Sequence, residues 1–151
     1  MFKIRVSPEP FDAGAEQAAL TAGRTDIGAV VAFTGLVRAD DGLEALTLEH
    51  YPAMTQRQLE AIAAEAAARW PLLAGTIIHR HGRLLPGEPI VLVITASPHR
   101  AAAFEAAEFL MDWLKTRAPF WKHDGSGWVA AKASDDDAAA RWGNDLGETR
   151  P

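Results

Sequence analysis

Cysteine is absent from this chain of 151 residues. A chain without thiols forms no disulfide framework, no thiolate zinc site and no cysteine nucleophile. Any sulfur chemistry carried out by this protein would therefore need a sulfur atom from another molecule.

Long apolar runs and an excess of positive charge are also lacking. The longest apolar run, near residues 90–96, is far shorter than the ~20 residues that a membrane helix needs. The first residues alternate apolar and basic side chains and show no signal-peptide pattern. Fifteen Lys and Arg residues against twenty Asp and Glu residues give a net charge of −5, which argues against a general nucleic-acid coat. We expect a cytoplasmic protein without nucleic-acid or membrane partners.

What is present is the composition of an ordinary globular domain. Hydrophobic residues make up 48% of the chain and charged residues 23%. The hydrophobic periodicity predicts a single α+β domain, with a mixed or antiparallel sheet and packed helices, over residues 1–142, and a flexible tail over 143–151. Strands are predicted at 2–7, 28–38, 43–50, 75–81, 90–97, 120–123 and 128–131, and helices at 11–22, 55–70, 98–115 and 134–142.

Local signals add three expectations to this assignment. The strands at 28–38 and 43–50, joined by an Ala-Asp-Asp-Gly turn, are interpreted as a hairpin. Thr55 is expected to begin the second helix as part of a capping box, and Ser97 is expected to cap the third. The third helix has an apolar stripe that should face the core, formed by Phe104, Ala107, Leu110, Met111 and Leu114.

The start of the third helix carries two basic residues. A helix N-terminus favours acidic side chains in its first turn because it bears a partial positive charge. His99 and Arg100 stand there instead, which favours an anion bound between them and the free backbone N–H groups. The alternative is that Arg100 reaches a carboxylate such as Glu105, or points into water.

Two lysines frame an aromatic segment at the end of the same helix. Lys115 and Lys122 enclose Phe120 and Trp121. Aromatic residues lower the dielectric around an amine, which is one way in which lysines become nucleophiles or proton carriers. The alternative is a solvated cap, because a cation is favourable in the last turn of any helix.

Two more basic segments are candidates for function. Arg38 ends a glycine-marked strand, and the planar fork of arginine suits phosphate. His79 and His81 lie on one face of a strand, as a pair of metal ligands would. No third ligand is near them in the sequence, so packing or solvent contact is the simpler interpretation.

Five ordered motifs resemble those of a known family. They are GAVVAFTGLVR at 28–38, LEHYPAMT at 48–55, HRHG with PGE at 79–88, SPHR with AFEA at 97–106, and LK followed by PFWK at 114–122. Their order and spacing resemble the large, catalytic subunit of molybdopterin synthase, over about residues 2–142.

The resemblance implies a fold, a reaction and partners. The family has an α/β hammerhead-type fold with a small antiparallel subdomain. As a sulfurtransferase of molybdenum cofactor biosynthesis, it converts cyclic pyranopterin monophosphate into molybdopterin. Two sulfurs come from the C-terminal Gly-Gly thiocarboxylate of a small β-grasp partner, and a heterotetramer forms around a large-subunit homodimer. Neither a cofactor nor a metal is implied, and the lack of cysteine agrees with an outside sulfur donor.

The resemblance also implies roles for individual residues. Lys115 matches the lysine central to catalysis and Lys122 the second active-site lysine. The implied substrate-binding residues are Leu36, Val37, Arg38, His99, Arg100, Lys115, Lys122, His123 and Asp124. The chain departs from the family's pattern in the short loop after Arg38, in Ala53, which replaces a frequent glycine, and in His123-Asp124, which replace a basic residue and a glutamate.

The chemistry of Lys115 stays open at this level. Proton transfer, oxyanion stabilisation and covalent attack on the partner's carbonyl are all compatible with an amine. Two functions without synthase activity also stay open, a phosphopterin-binding module and a docking scaffold for a β-grasp protein. The two lysines argue against the first alternative, and the basic residues Arg38, His99 and Arg100 argue against the second.

Overall fold

The computed structural model describes residues 1–39, 45–50, 52–116, 120–123 and 128–129. In chain order the elements are β1 (Phe2–Ser7), α1 (Ala13–Thr21), β2 (Ala29–Leu36), β3 (Leu46–His50), α2 (Pro52–Arg69), β4 (Ala74–Arg80), β5 (Gly82–Leu84), β6 (Pro89–Ser97), α3 (Arg100–Thr116), β7 (Phe120–His123) and β8 (Trp128–Val129). The predicted helix at 134–142 and the predicted tail at 143–151 lie outside the described residues.

A four-stranded mixed sheet forms the centre of the protein, in the order β1-β4-β6-β2. β1 is parallel to β4, whereas β4 and β2 are both antiparallel to β6. The largest apolar cluster joins one face of this sheet to α2 and α3, and residues of the α1 segment pack on the other face. Strand β6 is buried on both faces because helices cover both sides. The predicted α+β class is confirmed.

Helix α3 packs the helical layer against the sheet. Its buried residues include Phe109 and Trp113, which are almost fully inaccessible. The Phe109 ring meets the Trp70 ring edge-on at 5.2 Å between centroids. Trp70 Nε1 donates a hydrogen bond of 2.8 Å to Glu105 on α3. Phe104 was predicted to face the core, but this was wrong: it is 59% exposed, because it lies on the outer flank of the helix.

A second sheet, in the order β5-β3-β7-β8, lies beside the first. The predicted hairpin of residues 28–38 and 43–50 was wrong, because β2 pairs along its length with β6, whereas β3 pairs with β5 and β7. Side chains from both faces of β2 pack against the core. Val30 packs on the α1 side and Val31 on the α3 side. This two-sided apolar strand therefore belongs beside the buried strand β6.

The two helix starts also differ from the expectation. Helix α2 begins at Pro52, whose ring suits the first helical position, so Thr55 lies inside the helix. Helix α3 begins at Arg100, and the Ser97 hydroxyl donates a hydrogen bond to the His99 carbonyl instead of capping helix N–H groups. Among the described residues, none of the helices combines the length and the apolar character that a membrane crossing requires.

Candidate functional site

A pocket of about 80 Å³ lies where the end of α3 meets the end of β2 and the beginning of β6. The second sheet contributes Leu46 and Leu48 to its wall, so the pocket lies between the two sheets. The described lining residues are Gly35, Leu36, Leu46, Leu48, His79, Ile90, Val91, Met111, Leu114 and Lys115. The wall is therefore mainly apolar, and an amine stands at its edge.

Lys115 is the predicted catalytic residue that the structure places in this pocket. The preceding residue, Leu114, is buried in the core, whereas the Lys115 side chain is exposed in the last turn of α3. An amine beside an apolar wall is less shielded by water than one on an open surface, so its interactions with a bound anion are stronger. The position suits both binding and proton transfer.

Leu36, Val37 and Arg38 follow one another where β2 leaves the sheet. Leu36 lines the pocket. Val37 is buried, and two hydrogen bonds hold its backbone. The Val37 N–H donates to the Glu88 carbonyl at 2.9 Å, and the Val37 carbonyl accepts from the Gly87 N–H at 2.7 Å. Arg38 is exposed at the next position. The arginine therefore follows a hydrogen-bonded backbone position and stands two residues beyond the lining residue Leu36.

Strand β7 brings the second predicted lysine to the same region at the level of the backbone. Lys122 pairs with Leu48, which lines the pocket, and His123 pairs with Thr47. The predicted site residue Asp124 lies outside the described residues.

His99 and Arg100 lie at the opposite end of α3. Arg100 is the first residue of this helix and Lys115 is next to its last. At 1.5 Å of rise per residue, the two backbone positions are about 22 Å apart. Both basic side chains are exposed, and Glu105 accepts its hydrogen bond from Trp70 and forms no ion pair with Arg100 in the described part of the chain. One chain therefore does not bring these two residues to the Lys115 pocket.

A close backbone contact fixes the loop that carries these two basic residues. Gly28 N–H donates to the Ser97 carbonyl at 3.0 Å. A Cβ atom at position 28 would stand 2.1 Å from the carbonyl oxygen of Pro98. Only glycine permits this approach, so Gly28 sets the position of the loop before α3.

His79 lines the pocket, whereas the sequence analysis considered it only as a candidate metal ligand or a packing residue. The alternation of β4 places it on the same face as Ile77, which packs under α3. Its Nδ1 lies 2.8 Å from the Arg80 carbonyl oxygen. The described residues contain no group of three metal-ligating side chains. The strand period alone could have placed His79 on the α3 side, but the pocket itself forms only when α3 and β3 come together.

Fold and site together define a class, an α+β domain with an amine at an apolar pocket and a separate basic helix start. The family model described as MoaE protein matches residues 6–117. The chain is 60% identical to the molybdopterin synthase catalytic subunit of Mesorhizobium japonicum, over 92% of this chain and 92% of that protein. It therefore belongs to the MoaE family, the catalytic subunits of molybdopterin synthase in molybdenum cofactor biosynthesis, and the resemblance seen in the sequence is confirmed.

Solved structures agree with this assignment. The MoaE protein of Burkholderia ambifaria is 51% identical and superimposes with a TM-score of 0.83, over 94% of this chain and 98% of that chain. A complex of subunits 1 and 2 of the molybdopterin-converting factor of Helicobacter pylori contains a chain that is 25% identical, with a TM-score of 0.66, over 87% of this chain and 90% of that chain.

Proposed function

We propose that this chain is a sulfurtransferase that converts cyclic pyranopterin monophosphate into molybdopterin. The observation that carries the proposal is the placement of Lys115 at the edge of a mainly apolar pocket, in a chain that belongs to the MoaE family. A phosphate-bearing substrate needs cations. Lys115 lines this pocket, and Arg38 follows the lining residue Leu36 by two positions in the chain. The reaction also needs sulfur, which a chain without cysteine takes from a partner.

The sulfur donor in this proposal is a small β-grasp subunit whose C-terminal Gly-Gly carries a thiocarboxylate. The two-subunit composition of the Helicobacter pylori complex supports a partner of this kind. A pocket of about 80 Å³ has little room for side chains. A glycine tail has none, and its backbone adapts freely to a narrow channel.

Lys115 acts on the reacting groups in this proposal. The thiocarboxylate sulfur attacks the pterin side-chain carbons in turn, and the oxygen that leaves departs as water. The Lys115 ammonium stabilises the developing oxyanion and supplies the proton for that departure. Water then cleaves the acyl carbon–sulfur bond of each thioester formed, so the sulfur stays on the pterin and the partner leaves as its carboxylate. The residues proposed to complete this part of the site are Leu36, Val37, Arg38, Lys122, His123 and Asp124.

His99 and Arg100 join the site from a second copy of the chain. Their distance of about 22 Å from Lys115 along α3 is too long for one small phosphate ester to span. A two-fold dimer in which the α3 helices lie antiparallel places the beginning of one helix beside the end of the other. Each of the two sites then contains Lys115 of one protomer and Arg100 of its partner.

The surface proposed for this dimer is the β2–α3 face, which we define by Phe33, Leu36 and Phe104. These three apolar side chains are 40%, 56% and 59% exposed. The other edge of the sheet, β1, carries Lys3 and Arg5, whereas β2 has no charged residue from Ala29 to Leu36. Charges on an edge strand prevent association, and an uncharged apolar edge permits it. The β2–α3 face therefore suits a second copy of the same face.

Reconstitution tests the proposed function. The purified chain is incubated with cyclic pyranopterin monophosphate and the thiocarboxylated partner, and the product is analysed by mass spectrometry. We expect molybdopterin only when the charged partner is present. Equal product formation from free sulfide, without the partner, would refute the proposed sulfur donor.

A further inference from the structure

Arg80, the last residue of β4, is a buried cation that the proposed reaction does not use. The residue is 5% exposed and does not belong to the described wall of the pocket. Burial of a charge costs free energy unless hydrogen bonds replace those that water would make. The contacts of the guanidinium group therefore indicate the role of this arginine.

The guanidinium group of Arg80 joins two segments that are far apart in the sequence. Nε and Nη2 donate to the Pro8 carbonyl at 3.2 and 3.0 Å, in the connection between β1 and α1. Nη1 donates to the Pro89 carbonyl at 3.0 Å, at the first residue of β6, and lies 3.7 Å from the Glu88 carboxylate. A planar group whose nitrogens have fixed relative positions thus holds the beginning of β6.

The turn before β6 is bonded in turn to the end of β2. The backbone of this turn, residues 85–89, makes both hydrogen bonds that hold Val37. Pro89 pairs with Leu36 in the β2–β6 register. Leu36 lines the pocket, and so do the two residues that follow Pro89. The hydrogen bonds of Arg80 therefore act on one wall of the pocket.

We propose that Arg80 is a positioning residue for phosphopterin binding, a proposal that rests on the proposed function. Its three hydrogen bonds hold the 85–89 turn, and the turn holds the segment that contains Leu36 and leads to Arg38. Arg80 acts through this segment and not by contact with the substrate. A misplacement of about 1 Å in a site can cost up to about 100-fold in function, so a fixed wall matters for binding.

The proposal predicts that substrate binding and catalysis respond differently to the loss of Arg80. The side-chain hydrogen bonds of Arg80 reach the segments of Pro8 and Pro89, and none of those described reaches α3, which carries Lys115. Removal of the guanidinium group should therefore displace the wall around Leu36 and leave Lys115 in place. We expect KM to rise while kcat changes little.

Arg80→Met is the central variant, because it removes the guanidinium group and keeps most of the apolar stem of the buried side chain. We expect about tenfold or greater increases in the dissociation constant of cyclic pyranopterin monophosphate, measured by calorimetry, and in KM with the thiocarboxylated partner. The value of kcat should stay within about threefold of wild type. Arg80→Lys keeps the charge but replaces three donor nitrogens by one, so it should also bind weakly, and it takes the place of Arg80→Met if the latter fails to fold.

A control matched in stability separates positioning from a general loss of stability. Ile62→Ala removes a fully buried side chain of α2 that does not line the pocket, so it should lower the unfolding temperature and leave the affinity unchanged. Gly87→Ala disturbs the turn without removing Arg80, because φ is 91° at this position and alanine is strained there; it should reproduce the weaker binding. Guanidinium at low millimolar concentration, but not methylammonium, should restore part of the affinity of Arg80→Ala, because it has the same planar fork of donors.

Each contrary outcome has a separate meaning. Wild-type affinity and KM in folded Arg80→Met would overturn the proposal, reduce Arg80 to a stabilising residue and leave the proposed function intact. An equal loss of affinity in Ile62→Ala would also overturn it, because affinity would then follow stability. Unchanged binding in Gly87→Ala would overturn the role of the turn and, with it, that of Arg80. Failure of the wild-type chain to bind the phosphopterin and make product with the charged partner would overturn the proposed function itself.

Discussion

Mixing two inactive variants tests whether one site is built from two chains. Lys115→Ala and Arg100→Ala are purified separately, and the dimers are dissociated and reassociated at equal concentrations. If each site contains Lys115 of one protomer and Arg100 of its partner, a mixed dimer has one site with both substitutions and one site with neither. Random reassociation makes about half of the dimers mixed, so about a quarter of the wild-type activity should return.

The matched control for this experiment is a mixture of Lys115→Ala with Lys122→Ala. Both substitutions belong to the same part of the site, so a mixed dimer has one of them in each site and should stay inactive. The assay is product formation with the charged partner, and native mass spectrometry verifies that mixed dimers are present. Mixed dimers of Lys115→Ala and Arg100→Ala that stay inactive would show that the basic residues at the start of α3 are not shared between chains.

Three further substitutions test the packing that supports this arrangement. Gly28→Ala places a methyl group 2.1 Å from the Pro98 carbonyl oxygen, so the loop before α3 must shift. Calorimetry should then show weaker phosphopterin binding, and unchanged affinity would contradict the role of this contact. Phe104→Glu should convert dimers into folded monomers in analytical ultracentrifugation, because it puts a charge on the exposed apolar β2–α3 face that would be buried in the dimer. A dimer that persists would exclude this face as the interface. Phe109→Ala should lower the free energy of unfolding by about 3–5 kcal/mol in urea titrations, since the ring is fully buried against Trp70. A loss below about 1 kcal/mol would mean that the core closes around the cavity.

The elements that the sequence predicts well are those with one strong local period. β1 has the bounds Phe2–Ser7 that alternation predicts, and α3 extends only one residue beyond its predicted end. The turn before β6 also has a local cause, because its Leu-Pro-Gly-Glu segment places glycine at position 87, where φ is 91°. In each case neighbouring residues alone determine the conformation.

The partition of strands between two sheets is not a local property. β2 and β3 follow one another with a turn signal between them, yet β2 pairs with β6 because both of its faces are apolar and must be covered. Phe104 follows the helical period of the core stripe, but its exposure depends on which neighbours surround α3. Tertiary context decides both features.

The candidate site also combines features that sequence motifs identify with features that depend on tertiary structure. The motifs identify Arg38, Lys115 and Lys122, and the structure places Lys115 in a pocket and pairs Lys122 with a residue that lines it. The motifs also identify Arg100, but they give no indication that it lies at the other end of α3 from the pocket. His79 belongs to the HRHG motif, but the motif does not place it in the pocket, because that position depends on the meeting of β4, α3 and the second sheet.

Lys115 in this pocket is proposed to carry sulfur transfer from a partner to a phosphopterin. The most direct measurement is the rate of molybdopterin formation with the thiocarboxylated partner, compared among the wild-type chain, Lys115→Arg and Lys115→Ala. Loss of the amine should lower the rate by about 10²–10⁴-fold while partner binding and thermal stability change little. Lys115→Arg keeps the charge but gives up a proton much less readily, so it should also be slow. Wild-type rates in folded Lys115→Ala, or product formed at the same rate without the partner, would contradict this role of Lys115.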